Sequence, residues 1–370
     1  MAQLTQIRCS SLHRFMTCVG HMSLDLRTPS EDSEPAREGT AVGEYLSEMI
    51  RQCTDKPNFP VNASNGYFVN EEMKYYARET YNRVLSTAGI QQIETEERID
   101  WPADSTIIRG QFDISYVVGT TLYVEDLKYG WGIVEAEENW QLLGYAIGQK
   151  FRLLSKGIYI DNIVLTIHQP RPYHPQGPVR SWTITAEELN NYYFKIISQV
   201  REFTSNNKSL VTGSACKYCD AAAACPALNR AFHNAVDIVL RDYEEKELTN
   251  EDISKLVSII ERAEDVIEIK SKSIKQLAIN RLQNNQIIPG YGIMQKFGDR
   301  KWKDGVTAES IKMMTGFDIM KSDMMSPNQA EKAGINKKLT EQLTVKTNKG
   351  FDLTKINVTE QANKLFNKGE

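Results

Sequence analysis

Two aspartates and a lysine with spacing suited to metal chemistry lie on two segments joined by a predicted turn. The stretch 109–130 reads RGQFDISYVVGTTLYVEDLKYG, and its Gly-Thr pair at 119–120 suits a two-residue β-hairpin turn. Pairing about this turn places Asp113 opposite Asp126, with Cβ atoms roughly 4.5–5.5 Å apart. Lys128 projects from the same face as Asp126 because side chains alternate along a strand. Opposed carboxylates repel unless a cation lies between them, so the hairpin predicts a site for Mg²⁺ or Mn²⁺.

The alternative interpretation of this hairpin is a solvated polar edge. Against it, apolar residues surround the acidic pair on both strand faces, namely Ile107, Phe112, Ile114, Val117, Val118, Leu122 and Val124. This pattern indicates burial, and a buried carboxylate requires a metal ion or a polar partner.

The elements that must position this hairpin follow a mixed α/β pattern. We predict one mixed central sheet with flanking helices. The predicted helices cover 38–52, 71–87, 136–154 and 186–204, and the predicted strands cover 92–100, 107–118, 121–128, 158–169 and 179–185. Residues 234–283 show the periodicity of long helices, and the Pro-Gly pair at 289–290 breaks it.

Three of these segments resemble the core of the PD-(D/E)XK nucleases, in order and in spacing. They are GQFD (110–113), EDLK (125–128) and QLLGY (141–145), and the last is similar to the Q-x-x-x-Y helix of the RecB-like branch. Residues i and i+4 share a helix face, so both ends of that motif can face one site. The resemblance implies a restriction-endonuclease-like fold with a helical and mixed C-terminal extension.

The resemblance also implies a role for each residue of the site. Asp113, Asp126 and the Leu127 carbonyl would bind the metal, Lys128 would be the catalytic lysine, and Gln141 and Tyr145 would act in the site and contact the substrate. Gln169 and Arg171, in IHQPR (167–171), would lie near the substrate, where Arg171 suits a bidentate phosphate contact. A polar cluster that caps the strand end is the alternative for this last pair.

The cysteines extend the resemblance. Cys216, Cys219 and Cys225 form a C-x₂-C-x₅-C triplet, and three thiolates need a fourth ligand for a tetrahedral site or an iron–sulfur cluster. In RecB-like nucleases with an iron–sulfur staple, such as the AddAB nuclease subunit and the CRISPR-adaptation nucleases, that cysteine lies near the N-terminus. The resemblance therefore implies a [4Fe–4S] cluster on the triplet and Cys18, with Cys9 in reserve. Structural Zn²⁺ and unliganded thiols are the alternatives.

A broader likeness is to a phage and prophage family with nuclease-like motifs. The shared segments are EGTA (38–41), DLKYGWG (126–132), NWQLLGYAIG (139–148), IPGYGIMQKFGDRKWKD (288–304) and SPNQAEK (326–332).

One position departs from the nuclease pattern. Such nucleases commonly carry a metal-binding histidine in a G-T-x-x-H segment of the first helix, whereas this chain reads GTAVGEY with Gly43 at that position. Glu44 or Glu48 could substitute for the histidine, although solvated helix residues are the simpler interpretation. Alternatively, one metal site is weakened or lost, which would affect catalysis rather than the fold.

Composition limits the remaining function classes. The chain has 370 residues, of which 41% are hydrophobic and 25% charged, with a net charge of −4. These values are typical of a globular protein. No apolar run approaches the ~20 residues of a membrane span, and without a secretory h-region we expect a cytoplasmic protein, in the host cell if phage-encoded.

Positive charge is concentrated towards the C-terminus. We expect a nuclease domain over 1–230, a helical segment over 231–286 and a lysine-rich module over 287–370. That module holds 14 lysines and arginines against 10 acidic residues. Its basic run KFGDRKWKDG (296–305) interleaves lysines with Phe297 and Trp302, which suits phosphate contact and base stacking. A solvated strand or hairpin is the alternative.

We therefore expect a metal-dependent phage-type deoxyribonuclease, an exonuclease acting on linear DNA ends in recombination or DNA processing. DNA is the expected partner, and a single-strand annealing protein and a second copy of the chain are further partners suggested by analogy. The alternative is a catalytically weak nuclease fold that binds DNA or a recombination partner. A zinc-stapled virion protein is a third interpretation, which would leave the Asp113, Asp126 and Lys128 arrangement unexplained.

Overall fold

The structure is a computed structural model that describes residues 5–24, 34–87, 89–90, 92–205, 209–239, 249–303, 306–319 and 325–355. The chain divides into two compact units, Met1–Ser273 and Ile274–Glu370. The expected division into three segments, with boundaries near residues 230 and 286, stays a prediction. Within the described ranges, no helix has both the length and the apolar character needed to cross a membrane.

In the described part of the first unit, helices alternate with six strands. Its strands are β1 (Thr5–Arg8), β2 (Ile93–Ala103), β3 (Thr106–Val118), β4 (Thr121–Leu127), β5 (Asn162–His168) and β6 (Val179–Thr185). Its first helices are α1 (Leu12–Thr17), α2 (Glu34–Gln52), α3 (Glu71–Leu85), α4 (Trp140–Ser155) and α5 (Ala186–Thr204). They are followed by α6 (Pro226–Val239) and α7 (Asn250–Gln283), whose last residues belong to the second unit.

The six strands form one mixed sheet. β3 pairs antiparallel with β2 and with β4, β4 pairs parallel with β5, and β5 pairs antiparallel with β6. The predicted mixed sheet flanked by helices is confirmed. The sequence did not predict β1, which pairs parallel with β3 through Thr5↔Thr106 to Arg8↔Arg109.

One edge of β3 is divided between two partners. β2 pairs with β3 from Ala103↔Thr106 to Ile93↔Tyr116, so β1 and β4 must both use the opposite edge. β1 pairs with residues 106–109 of β3 and β4 pairs with residues 114–118. Residues 110–113, which include Asp113, therefore lie on this edge between the two ladders.

The sheet separates two hydrophobic cores. On one face, strand residues such as Leu122 and Val124 pack with residues of α1, α4 and α5. On the other face, Ile114 and Tyr116 pack with residues of α2 and α3. Because alternate side chains of β4 point to opposite faces of the sheet, each face of the strand packs against one of the two cores. The apolar pattern of β4 follows from this central position in the sheet.

The described residues of the second unit form a two-stranded sheet and three short helices after the end of α7. β7 (Tyr291–Trp302) pairs antiparallel with β8 (Thr344–Lys355), and α8 (Ala308–Thr315), α9 (Pro327–Lys332) and α10 (Lys337–Leu343) lie between them in the chain. Its core is built from Ile311, Ile319, Ala330 and Ile335.

The basic run 296–305 falls partly within β7. The side chains of residues 296–301, including Phe297, and the whole of residues 304–305 lie outside the described residues. Trp302 packs against the core of the second unit and donates a hydrogen bond from Nε1 to the Met325 carbonyl, at 2.9 Å. Its indole is therefore already engaged within the unit.

Candidate active site

A cleft of about 690 Å³ lies where α2, the sheet and the start of α4 meet. Its lining comes from segments far apart in the chain: Gly43, Glu44, Glu48, Arg51, Glu96, Gln111, Asp113, Asp126, Leu127, Lys128, Tyr129, Gly130 and Gln141. The fold thus gathers the predicted carboxylates, the lysine and the glutamine around one concave surface.

The predicted hairpin positions the two aspartates. Gly119 adopts a positive φ of 59° at the turn, a conformation that glycine takes without strain. The register runs from Val118↔Thr121 to Ile114↔Glu125, as the turn predicted, and its continuation sets Asp113 opposite Asp126. There the Leu127 amide donates a hydrogen bond to Asp113 Oδ2 at 2.7 Å. The Asp113 carboxylate therefore accepts the last backbone hydrogen bond at this end of the ladder.

A network of polar contacts joins Asp126 to α4. Lys128 Nζ lies 2.7 Å from Asp126 Oδ2 and donates to Gln141 Oε1 at 3.1 Å. Gln141 Nε2 in turn lies 3.3 Å from Asp126 Oδ1 and 2.7 Å from the Tyr145 hydroxyl oxygen. The Q-x-x-x-Y spacing therefore places both side chains on the helix face that looks towards Asp126 and Lys128.

The sequence of α4 explains how this face reaches the sheet. Asn139 caps the helix by accepting from the amides of Gln141 and Leu142, at 3.0 and 3.2 Å, which fixes the first turn. A Cβ at Gly144 would lie 2.6 Å from Leu12 Cδ1, and one at Gly148 would lie 2.6 Å from Ile99 Cδ1. These glycines let α4 approach its neighbours closely enough for Gln141 to contact Lys128.

Burial and mutual repulsion determine the charge state of the cleft. Burial, with the negative charge of Asp126, raises the pKa of Asp113 well above its ordinary range. Burial alone would lower the pKa of Lys128, but the charges of Asp126 and Asp113 outweigh it and raise that pKa. Lys128 is therefore a permanent cation, suited to stabilising negative charge rather than to accepting a proton.

Glu96 is a further acidic residue of the cleft that the sequence analysis did not identify. Thr95 pairs with Ile114 and Glu97 with Phe112, so Glu96 stands opposite Asp113, with a positive φ of 54°. Gln111 Nε2 donates to Glu96 Oε2. Burial raises the pKa of Glu96, and the charges of Glu44 and Asp126 also raise it. The alternating segment IETEERID (93–100) does not distinguish Glu96 from its acidic neighbours.

The position of the expected histidine faces this glutamate. A Cβ at Gly43 would lie 3.7 Å from Glu96 Oε1. Glu44, which was expected as a substitute ligand, accepts hydrogen bonds from the Ser64 amide, at 2.8 Å, and from its hydroxyl. Glu48 is bound to Arg51 and Gln52, both at 2.9 Å. Both glutamates line the cleft, but Glu44 binds the segment around Ser64 and Glu48 binds residues of its own helix.

Gln169 is wholly buried and contacts the loop that follows β4. Its Nε2 donates to the carbonyls of Gly130, at 3.1 Å, and Gly132, at 2.7 Å. Its Oε1 accepts from the Val134 amide, at 3.0 Å, and from Arg180, at 2.6 Å. The structure thus gives this residue, which was expected near the substrate, a clear part in fixing the loop.

Arg171 lies beside the same loop. Its guanidinium carbon is 3.7 Å from the centre of the Tyr129 ring and 5.6 Å from that of Trp131. Its NH1 donates to Glu38 Oε2 at 2.8 Å, and its Nε lies 3.5 Å from Glu72. Stacking and two carboxylates hold the guanidinium in place at the edge of the cleft.

The structure brings Cys18 to the cysteine triplet. The Gly20 amide bonds to the Ser209 carbonyl, at 3.0 Å, and Arg14 donates to the Tyr218 carbonyl. Burial raises the pKa of Cys216 and of Cys219, and the charge of Cys18 adds to both shifts. Cys9 lies elsewhere, buried against Gly110 and Gly144.

No complete metal-binding set is preassembled in the part of the chain that the structure describes, where no three His, Cys, Asp or Glu side chains are grouped closely enough to hold an ion. At the centre of the cleft, the Asp113 and Asp126 carboxylates lie opposite each other beside Lys128, and Glu96 adds a further carboxylate to the cleft wall. This arrangement can hold a cation that completes its coordination from water and a substrate.

Comparison with known proteins gives a family and several similar structures, among them the following two. A phage-related exonuclease from Haemophilus somnus 129PT is 15% identical, with a TM-score of 0.26, and the alignment covers 54% of this chain and 94% of that one. A protein described as "Putative exonuclease" from Eubacterium rectale is 14% identical, with a TM-score of 0.36, over 68% of this chain and 94% of that one. The family model described as "Protein of unknown function (DUF2800)" matches residues 5–362, so the chain belongs to the DUF2800 family.

Proposed function

We propose that this protein is a divalent-metal-dependent deoxyribonuclease that acts as an exonuclease on the ends of linear DNA, in recombination or DNA processing. The observation that carries the proposal is the contact network of Asp126, Lys128 and Gln141 beside Asp113. A carboxylate pair with an adjacent cation suits phosphodiester hydrolysis, in which a metal ion and a positive side chain face an anionic substrate.

The donor set of the cleft fits Mg²⁺ or Mn²⁺. Asp113 and Asp126 face each other across the hairpin, and only Lys128 offsets their charge in the contact network. Mg²⁺ typically binds one or two carboxylates, keeps several waters and accepts substrate phosphates. Asp113 and Asp126 would therefore hold the ion, with the Leu127 carbonyl as a further oxygen donor.

The chemistry supplied by a bound metal ion is the activation of water and the neutralisation of developing phosphate charge. In this mechanism, water attacks phosphorus in line and releases a proton to solvent as the bond to the leaving sugar oxygen breaks. That oxygen then takes a proton from solvent water. Lys128, a permanent cation, stabilises the negative charge on the phosphate. Gln141 orients the Lys128 ammonium through its carbonyl oxygen, and the buried Tyr145 positions the Gln141 amide.

A second candidate function is DNA binding with weak or no cleavage. The observation that favours it is Gly43, which places Glu96 rather than a histidine at this wall of the cleft. Without the imidazole, the chain has one neutral metal ligand fewer, and Glu44 and Glu48 are engaged elsewhere.

Cleavage of end-labelled linear duplex in Mg²⁺ or Mn²⁺ tests the proposal, with closed circular DNA as a second substrate. We expect loss of linear DNA only, reduced at least ~100-fold by Asp126→Ala and by Lys128→Ala because each removes a charge that acts on the phosphate. Asp104→Ala is the matched control, since Asp104 pairs with Arg201 instead. Undiminished cleavage by Asp126→Ala would refute the mechanism, and DNA binding without cleavage in either metal would favour the second candidate.

For the cysteine site, the proposal includes a [4Fe–4S] cluster on Cys18, Cys216, Cys219 and Cys225, with Zn²⁺ as the alternative. Four thiolates are the ligand set that either group takes, although in the described residues the thiols are not grouped closely enough to hold an ion. A structural cluster would stabilise the fold without taking part in hydrolysis. Anaerobic purification should give a brown protein with about four irons per chain, lost in Cys18→Ser and kept in the exposed control Cys53→Ser. A colourless protein with one zinc per chain would contradict the cluster and favour a Zn²⁺ site on the same cysteines.

A further inference from the structure

An exposed tryptophan lies on the loop that follows β4, the strand that carries Asp126. Trp131 is 67% exposed, although Tyr129 and Gly130 immediately before it line the cleft. Its indole is therefore presented to solvent at the cleft rim, next in the chain to the cleft lining.

The backbone that carries this indole is held on both sides. Gln169 bonds to the carbonyls of Gly130 and Gly132, and to the Val134 amide. Gln169 is itself anchored by Arg180 at 2.6 Å. A large apolar side chain whose loop is fixed by buried hydrogen bonds loses little conformational entropy when a ligand binds it.

A cation lies beside the same ring. The Arg171 guanidinium stacks on Tyr129 at 3.7 Å and lies 5.6 Å from the Trp131 ring centre. Tyr129, Arg171 and Trp131 thus form a stacked series that leads from the buried cleft wall to the surface. Because Glu38 and Glu72 already pair with the guanidinium, what the series offers a ligand is the flat, exposed face of the indole, which suits an aromatic ring.

We propose that Trp131 is a stacking platform for an unpaired nucleobase at the cleft entrance, so that the preferred substrate is DNA with a single-stranded or frayed end. This inference rests on the proposed nuclease function. In duplex DNA each internal base already stacks on its neighbours, whereas an unpaired base exposes a face that an aromatic side chain can cover. A base stacked at the rim would direct its own phosphate towards Asp126 and Lys128.

Binding assays that need no cleavage test the platform. Asp126→Asn serves as the non-cleaving parent, with Mg²⁺ present. The probes are a single strand with a terminal 2-aminopurine, a duplex with an overhang that carries it, and a duplex capped at both ends by non-nucleotide linkers. Trp131→Ala should weaken binding of the first two probes roughly 10-fold, because base stacking contributes about 1–3 kcal/mol per base. It should also abolish the quenching of 2-aminopurine fluorescence, whereas binding of the capped duplex should change less than about 2-fold.

Two further variants separate stacking from folding. Trp131→Phe keeps an aromatic face and should retain most of the affinity and quenching. Tyr159→Ala removes an equally exposed ring, 72% exposed, just before β5, at the sheet end opposite His168, and should change neither. Circular dichroism melts compare the stability of all variants with that of the parent.

The results distinguish failure of the platform from failure of the proposed function. If the natural chain cleaves DNA and Trp131→Ala binds all three probes as the parent does, the platform is wrong and the nuclease stands. Equal weakening for the capped duplex would also overturn it, because that probe has no unpaired end. If the parent binds none of the probes and the natural chain cleaves no DNA, both proposals fail.

Discussion

Removing the Gln169 amide group should release the loop that carries Trp131. Gln169→Leu keeps much of the side-chain volume but removes all four hydrogen bonds of the amide, to Gly130, Gly132, Val134 and Arg180. Neutral hydrogen bonds contribute about 0.5–1.5 kcal/mol each and charged ones about 1.5–3 kcal/mol. Three neutral bonds and one charged bond together give an expected loss of about 3–7.5 kcal/mol in the free energy that keeps the loop hydrogen-bonded.

Hydrogen exchange measured by mass spectrometry reports this loss locally, which matters in a chain of two compact units where a single unfolding midpoint mixes several transitions. Peptides containing the Val134 amide should exchange at least ~100-fold faster in Gln169→Leu, because each 1.4 kcal/mol corresponds to a factor of ten. Peptides from β5 should change less.

The matched control is Gln199→Ala. Gln199 is half-buried and makes one long hydrogen bond, from Nε2 to the Phe15 carbonyl at 3.3 Å, so its loss should cost under about 1 kcal/mol. If Gln169→Leu also costs under about 1 kcal/mol and leaves exchange at Val134 unchanged, the loop is held by other contacts. The account of Gln169 as the anchor of the Trp131 loop would then be refuted.

The remaining predictions concern packing and thiol reactivity. Gly148→Ala should lower the free energy of unfolding by about 1–3 kcal/mol because the new methyl group meets Ile99. Gly39→Ala, in open space on α2, should instead raise the free energy of unfolding by up to about 1 kcal/mol. Denaturant titrations measure both, and equal effects would contradict the close packing of α4. Burial raises the pKa of the Cys9 thiol to about 12, so at pH 8 iodoacetamide should label exposed Cys53 and spare Cys9 until the protein unfolds. The same shift stabilises the fold fully below pH ~9 and is lost as the pH rises towards 12, which melts over that range will show as a falling midpoint; rapid native labelling of Cys9 would contradict its burial.

Local patterns predicted the hairpin of the site. The turn at Gly119 and strict alternation fix the register of β3 and β4, because a shift by one residue would turn every side chain to the other face. The Q-x-x-x-Y spacing likewise predicted that Gln141 and Tyr145 share a helix face. Both inferences depend on residues close in sequence, where backbone geometry alone determines which side chains meet.

Long-range contacts account for what the sequence did not predict. Glu96 reaches the cleft because it lies opposite Asp113 and has a left-handed backbone conformation. No residue pattern in the sequence predicts that conformation. Gln169 was expected near a substrate from the nuclease resemblance, but its partners are backbone atoms of a loop and the Arg180 side chain. The short strand β1 has no alternating pattern long enough to be recognised, and its partner is identified only by the folded sheet.

The divided edge of β3 has a consequence for how the chain folds during synthesis. Thr5 pairs with Thr106, and Arg14 bonds to Tyr218, 204 positions later. At about 5–20 residues per second, a ribosome needs roughly 10–40 s to make that intervening chain. The N-terminal segment therefore emerges early and waits with its apolar residues exposed, because neither β3 nor the cysteine loop yet exists. Such non-local pairing slows folding, so we expect the first unit to be completed only after its cysteine loop has left the ribosome.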